Sequence, residues 1–121
     1  MANSAIRVPT NYWTNVDSDQ TMIASIAYQA NSAVQLSFML PLTMTVGDEF
    51  IVLSVNTGGF LITQEAGQQI ICNAFESTTV GVTGGLEGDA IGDAVFIVCT
   101  DDTPGAQVLE LYNTRGDITV I

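Results

Sequence analysis

Residues 46–72 read VGDEFIVLSVNTGGFLITQEAGQQIIC, and the way this stretch is punctuated decides the fold class. Phe50, Val52 and Ser54 alternate with Ile51, Leu53 and Val55, a run rich in β-branched residues and apolar on both faces, as in a strand covered on both sides. The NTGG of residues 56–59 stops it, because Asn and Gly accept the positive φ that a tight reversal demands. An extended pattern resumes at Phe60, breaks at Glu65 to Gly67 and resumes for QQIIC. Strands this short and this close predict a meander.

The flanking sequence repeats the pattern. Over residues 33–40, Val34, Leu36, Phe38 and Leu40 alternate with Gln35, Ser37 and Met39, which predicts a half-buried strand stopped by Pro41. Residues 21–30, TMIASIAYQA, fit either a helix through Met22, Ile26 and Gln29 or, preferably, a strand with Ile23, Ser25 and Ala27 on one face. Residues 93–100, DAVFIVCT, form the most hydrophobic run and are predicted at the centre of a sheet. A DDTPG turn, a strand over 106–112, a reversal at NTRG and a closing DITVI strand follow. Residues 73–92 carry five glycines and only short apolar pieces, and predict one long loop. The fold class expected is all-β: a single-domain antiparallel sandwich or barrel of about eight to ten short strands. The domain is expected over residues 21–121, with an extended N-terminal arm over 1–20.

Composition narrows function. Thirteen acidic residues stand against two arginines, with no lysine or histidine, for a net charge of −11. Such a chain is repelled by nucleic acid and by anionic membranes, and the acidity keeps a chain that is 47% hydrophobic in solution. No run reaches the ~20 apolar residues of a membrane span, and residues 1–7 lack the charged-then-apolar order of a signal peptide. Cys72 and Cys99 each end an apolar run; buried free thiols are favoured over a mutual disulfide.

Without His or Lys, the Ser-His-Asp, Cys-His and Schiff-base constellations, P-loops and His-ligated zinc are unavailable. Carboxylate pairs exist on paper among thirteen acids, but no spacing selects one, so no enzyme, catalytic residue or cofactor is expected. Asp17 and Asp19 could offer two oxygens to calcium, yet a site needs about six and no loop of suitable spacing follows, so no metal is expected.

A succession of motifs carries a family resemblance. LP at Leu40 and Pro41, VGD at Val46 to Asp48, GGF at Gly58 to Phe60, IxQ at Ile62 to Gln64 and AGQxI at Ala66 to Ile70 form one block. GGL at Gly84 to Leu86, DxVxxVC at Asp93 to Cys99, Val108 and Leu109, and RGDITV at Arg115 to Val120 follow. Over roughly residues 30–121 this order resembles the C-terminal β-domain of phage tail-fibre and tail-tip proteins, with Phe60 where Trp is usual and Asp117 where Asn is usual. The resemblance implies a virion structural protein of a bacteriophage, made in the host cytoplasm, trimeric, and acting in host attachment or at the end of a fibre. A capsid decoration (cement) protein or a self-assembling filament subunit is the alternative.

Expected partners are further copies of the chain as a homotrimer, other virion proteins and a host-surface glycan. The loop at 73–92 is the candidate partner or ligand site, through Phe75, Glu76, Thr78, Thr79, Glu87 and Asp89, an aromatic face beside hydrogen-bonding groups. Tyr12, Trp13 and Arg115 are the candidate intersubunit residues: the two rings are too large to leave on a solvated tail, and Arg115 beside Asp117 can pair with a neighbouring subunit.

Overall fold

The computed structural model describes residues 13–121. Among these, twelve strands and no helix are present: β1 (Trp13–Val16), β2 (Gln20–Thr21), β3 (Ala27–Ala30), β4 (Leu36–Met39), β5 (Glu49–Ser54), β6 (Phe60–Thr63), β7 (Gln69–Asn73), β8 (Glu76–Ser77), β9 (Gly85–Gly88), β10 (Ala94–Asp101), β11 (Val108–Arg115) and β12 (Thr119–Val120). They form a seven-stranded sheet of order β1-β3-β5-β10-β11-β7-β8 and a five-stranded sheet of order β12-β9-β6-β4-β2. The all-β class is as the sequence predicts. Two parts of the detail differ.

The first is the meander. β5, β6 and β7 do not pair with one another; β6 belongs to the five-stranded sheet and its two neighbours in sequence to the other. Up to β7 successive strands alternate between the sheets, so that β1, β3 and β5 run parallel in one and β2, β4 and β6 run parallel in the other. The first six strands are therefore a flattened coil, each turn laying one strand on each sheet. Inward-facing Phe50 and Val52 of β5 meet Phe60 and Ile62 of β6 across the core, whereas a meander would set the two strands side by side. Alternation specifies which residues face in, not which sheet receives them, and both arrangements satisfy it equally.

The second is strand direction. Parallel pairs (β1·β3, β3·β5, β2·β4, β4·β6, β7·β11) are as many as antiparallel ones (β5·β10, β10·β11, β7·β8, β6·β9, β9·β12). The sandwich is mixed rather than antiparallel. The stretch expected to form an arm over 1–20 contributes β1 and the start of β2 to the sheets; Tyr12 lies outside the described residues.

β10 sits at the middle of the seven-stranded sheet, between β5 and β11, as its hydrophobicity predicts. The core between the sheets is filled by Phe38, Leu40, Phe50, Val52, Phe60, Ile62, Ile70, Leu86, Ile97 and Leu109, all essentially inaccessible. β5 and β6 supply two each, at alternate positions. Residues 21–30 split into the end of β2, a turn and the strand β3, whose Tyr28 ring packs on Phe38 with centroids 5.6 Å apart.

Neutral amides fasten the turns. Gln107 Nε2 donates to the Leu42 carbonyl, Gln68 Nε2 donates to Gln107 Oε1 and to the Pro41 carbonyl, and Glu65 N donates to Gln68 Oε1. Gln64 Nε2, with two hydrogens, lies 2.8–3.0 Å from the carbonyls of Gln68, Thr79 and Gly81. All three glutamines are buried. Such a network costs little when every member is paired and much when one is lost. A second ladder steps across the coil: Asn56 Nδ2 donates to Asn31 Oδ1, Asn31 Nδ2 to Asn15 Oδ1 and Asn15 Nδ2 to Gln29 Oε1, at 3.1–3.3 Å.

Candidate functional site

Residues 73–92 are not one loop. β8 pairs with β7, and β9 lies inside the five-stranded sheet between β6 and β12. The five glycines explain the difference, because some of them pack sheet rather than free a loop. Gly88 lies against the Phe60 ring, where an added Cβ would come within 2.6 Å of the ring edge. A glycine that lets an aromatic side chain close the core cannot be told by composition from one that bends a turn.

The six predicted partner residues are consequently dispersed. Phe75 stands 99% exposed at the tip of the β7–β8 hairpin, its N–H donating to Asn73 Oδ1 at 2.8 Å. Glu76 is beside it on β8. Thr78 is buried: its Oγ1 accepts from Ile70 N at 2.9 Å and donates to Gln64 Oε1, so it belongs to the network that holds the turns. Thr79 uses its main chain, N–H to the Ile121 carbonyl and carbonyl to Gln64. Glu87 lies on β9 and accepts a 2.6 Å hydrogen bond from Gln35 Nε2, and Asp89 is on the exposed turn that follows. Phe75 and Glu76 stay together at the hairpin, whereas Thr78 and Thr79 are both tied to Gln64 and Glu87 and Asp89 lie on β9 and just after it.

Glu76 does line a concave site. Where β7 and β11 of one sheet approach β12 of the other, the sandwich opens into a cleft of about 290 Å³ bounded by Cys72, Asn73, Glu76, Leu111, Thr114 and Asp117, with Ile118 from the C-terminal crossover and Val120 from β12. The crossover from β11 to β12 is set by Gly116, whose φ of +78° is a left-handed value and whose Cβ position is occupied by Asp93 Oδ1 at 1.9 Å. Asp93 is buried, its Oδ2 accepting from Ala90 N at 3.1 Å. The reversal expected at NTRG, before the closing strand, is thus a passage from one sheet to the other.

Chemically the cleft offers one thiol, two carboxylates, an amide and a hydroxyl. Burial, and then the Glu76 charge, push the Cys72 thiol above its ordinary range, so it is held as SH at neutral pH rather than as a nucleophilic thiolate. Cys72 and Cys99 are both free, Cys99 fully buried and Cys72 partly. Among the described residues no group of three or more acidic or cysteine side chains is arranged to hold a metal ion. Sequence reasoning missed most of this lining because Cys72, Thr114 and Asp117 belong to three elements that come together only through the crossover.

Of the candidate intersubunit residues, Trp13 and Arg115 both reach the outer face of the seven-stranded sheet. Trp13 is in register with Ala27 on the edge strand β1, and Arg115 is in register with Ala94 at the end of β11. Four strand spacings separate β1 from β11, roughly 19 Å, so the two residues share a face without touching.

No protein-family model matches the chain, and no curated protein matches it.

Proposed function

We propose that the chain is a non-enzymatic structural protein of a phage virion, a tail-fibre or tail-tip subunit that contributes to host-surface attachment. The observation that carries this is the coil of β1 to β6. Its two leading strands, β1 and β2, are the edge strands of their sheets at the same margin of the molecule, and no described strand pairs with the outer side of either. A margin at which both sheets present main-chain donors and acceptors can be continued by a further coil, from a fibre or from a neighbouring subunit. β1, WTNV, carries no charge to discourage such pairing.

Assembly as a homotrimer and contact with other virion proteins belong to the same proposal. Exposed Ile23, Leu42 and Val46 lie on loops at one end of the sandwich. These loops are tied together by Ser25 N to the Glu49 carbonyl, Val46 N to Asp102 Oδ2 and Gln107 Nε2 to the Leu42 carbonyl. An aliphatic end on a rigid frame suits a neighbouring subunit. The same features suit a filament or capsid decoration subunit, so the test has to address attachment. Recombinant chain added to host cells should reduce adsorption of the particles that carry it. Undiminished adsorption at saturating protein would exclude an attachment role and leave a purely structural one.

A further inference from the structure

Exposed aliphatic side chains gather at one end of the sandwich. Ile23 lies between β2 and β3, Leu42 and Val46 between β4 and β5, and Val80 and Val82 between β8 and β9; all five are more than half exposed. These connections meet at the end where β2, β4 and β6 finish and β5 and β9 begin. Among the described residues of the opposite end, only Val34, Ile91 and Phe75 are comparably exposed. A single exposed aliphatic side chain needs no explanation, whereas five at one end form a surface.

The loops that carry them are held firmly. Ile23 N donates to the hydroxyl of buried Tyr28 at 3.0 Å. Two residues on, Ser25 has a φ of +70°, the only left-handed value at a non-glycine among the described residues, and its N–H donates to the Glu49 carbonyl at 2.9 Å. The other two loops rest on the buried glutamines. Gln107 Nε2 donates to the Leu42 carbonyl, Gln64 Nε2 lies 2.9 Å from the Gly81 carbonyl, and Gly81 N donates to the Gln68 carbonyl. Main-chain groups beside the exposed side chains are thus paired within the molecule, and covering Leu42, Val80 and Val82 leaves none of these orphaned.

The charges around this end have one sign. Asp48 and Asp102 accept from Thr45 N and Val46 N at 2.9 and 3.2 Å, which sets both carboxylates beside Val46. Glu65 is on the turn from β6 to β7, and Asp101 ends β10. Arg115, the only cation among the described residues, ends β11, whose first residue Val108 is at the aliphatic end and whose last is at the other.

We infer that this end docks a different protein, one whose contact face is aliphatic and rimmed by lysine or arginine. The inference rests on the virion role proposed above and gives the end to another chain rather than to a further copy of this one. Apolar contact supplies the attraction, and basic side chains at the rim complement Asp48, Glu65, Asp101 and Asp102. A second copy docked end to end would set these four carboxylates against the same four while water is excluded, which opposes self-association there. An anionic bilayer meets the same repulsion.

The probe is a labelled helical peptide with leucines along one face and lysines on its flanks, titrated with the full chain and followed by fluorescence anisotropy. Leu42 and Val82 are 70% and 67% exposed, so serine at both leaves the fold intact. Saturable binding is expected, weakened at least tenfold by Leu42→Ser with Val82→Ser and unchanged by Val34→Ser with Ile91→Ser at the opposite end. A serine-lysine peptide of equal charge should bind at least tenfold more weakly than the leucine-lysine peptide. Equal binding of the two peptides, or equal loss from either pair of substitutions, overturns the docking surface. Sedimentation should show the same oligomeric state with and without Leu42→Ser and Val82→Ser; dissociation of the variant would make a second copy the occupant and overturn the inference. Binding of the wild-type chain to phosphatidylcholine vesicles that the two serines abolish would assign the end to a bilayer and overturn it as well. Attachment fails separately: a chain that discriminates the peptides without blocking adsorption keeps the docking surface and removes attachment, whereas one that blocks adsorption without discriminating them keeps attachment and loses the docking surface.

Discussion

Single residues carry unusual weight where chain segments touch without intervening side chains. Gly116 combines a φ of +78° with an Asp93 oxygen at the place of its missing Cβ. Gly116→Ala therefore meets backbone strain and a clash with a buried, hydrogen-bonded carboxylate, and should cost about 2 kcal/mol or more, read from urea unfolding midpoints; a change within error would mean the crossover adjusts freely. Cys72 gives a pH-dependent test. Burial and Glu76 raise its pKa, so alkylation should be slow at neutral pH and should accelerate only above the ordinary thiol range. Removing the neighbouring charge with Glu76→Gln lowers the pKa and should speed alkylation at pH 8, an outcome mass spectrometry can follow with Cys99 as the unreactive internal reference. For stability the sign follows from linkage. A thiol whose folded pKa is raised stabilises the fold fully below its unfolded pKa and loses that contribution as pH rises through the folded value, and burial acts on Cys99 in the same direction. The melting temperature should accordingly decline on the alkaline side, and less so in a Cys72→Ser chain.

At the scale of elements, the strands were legible and their partners were not. The two-faced apolar run of β5, the alternation of β4 and the central place of β10 follow from side-chain pattern, since those properties depend on which way each residue points. The sheet each strand joins depends on whether a turn spans the ~4.8 Å to a neighbouring strand or the ~10 Å to the opposite sheet. NTGG at residues 56–59 permits either. The candidate site suffered more. Thr78 and Glu87 read as free polar groups because a polar residue in a glycine-rich segment looks solvated, whereas Thr78 is bonded to Gln64 and Ile70 and Glu87 to Gln35. The amide network has its own test. Gln68→Leu would orphan Glu65 N, the Pro41 carbonyl and Gln107 Oε1 at once, and should destabilise by about 2 to 4 kcal/mol. Gln69→Leu, one residue along and partly exposed, should cost far less. Equal losses would show that the buried amides do not fasten the turns.

For the whole molecule, a charge of −11 on 121 residues and a coil whose two leading edges pair with no further described strand act together. Self-repulsion keeps free chains apart, and added salt should favour assembly by screening it. Sedimentation at micromolar concentration should show a trimer, loosened by Arg115→Ala with little change in melting temperature; a stable monomer at every salt concentration would remove the oligomer from the account. The most direct measurement of the central claim is the copy number of this chain in purified phage particles, by quantitative mass spectrometry against a tail protein of known stoichiometry. A tail-fibre or tail-tip subunit should be present in a few copies per particle, in a multiple of three, while hundreds of copies per particle would contradict attachment at the tail and identify a capsid decoration protein instead.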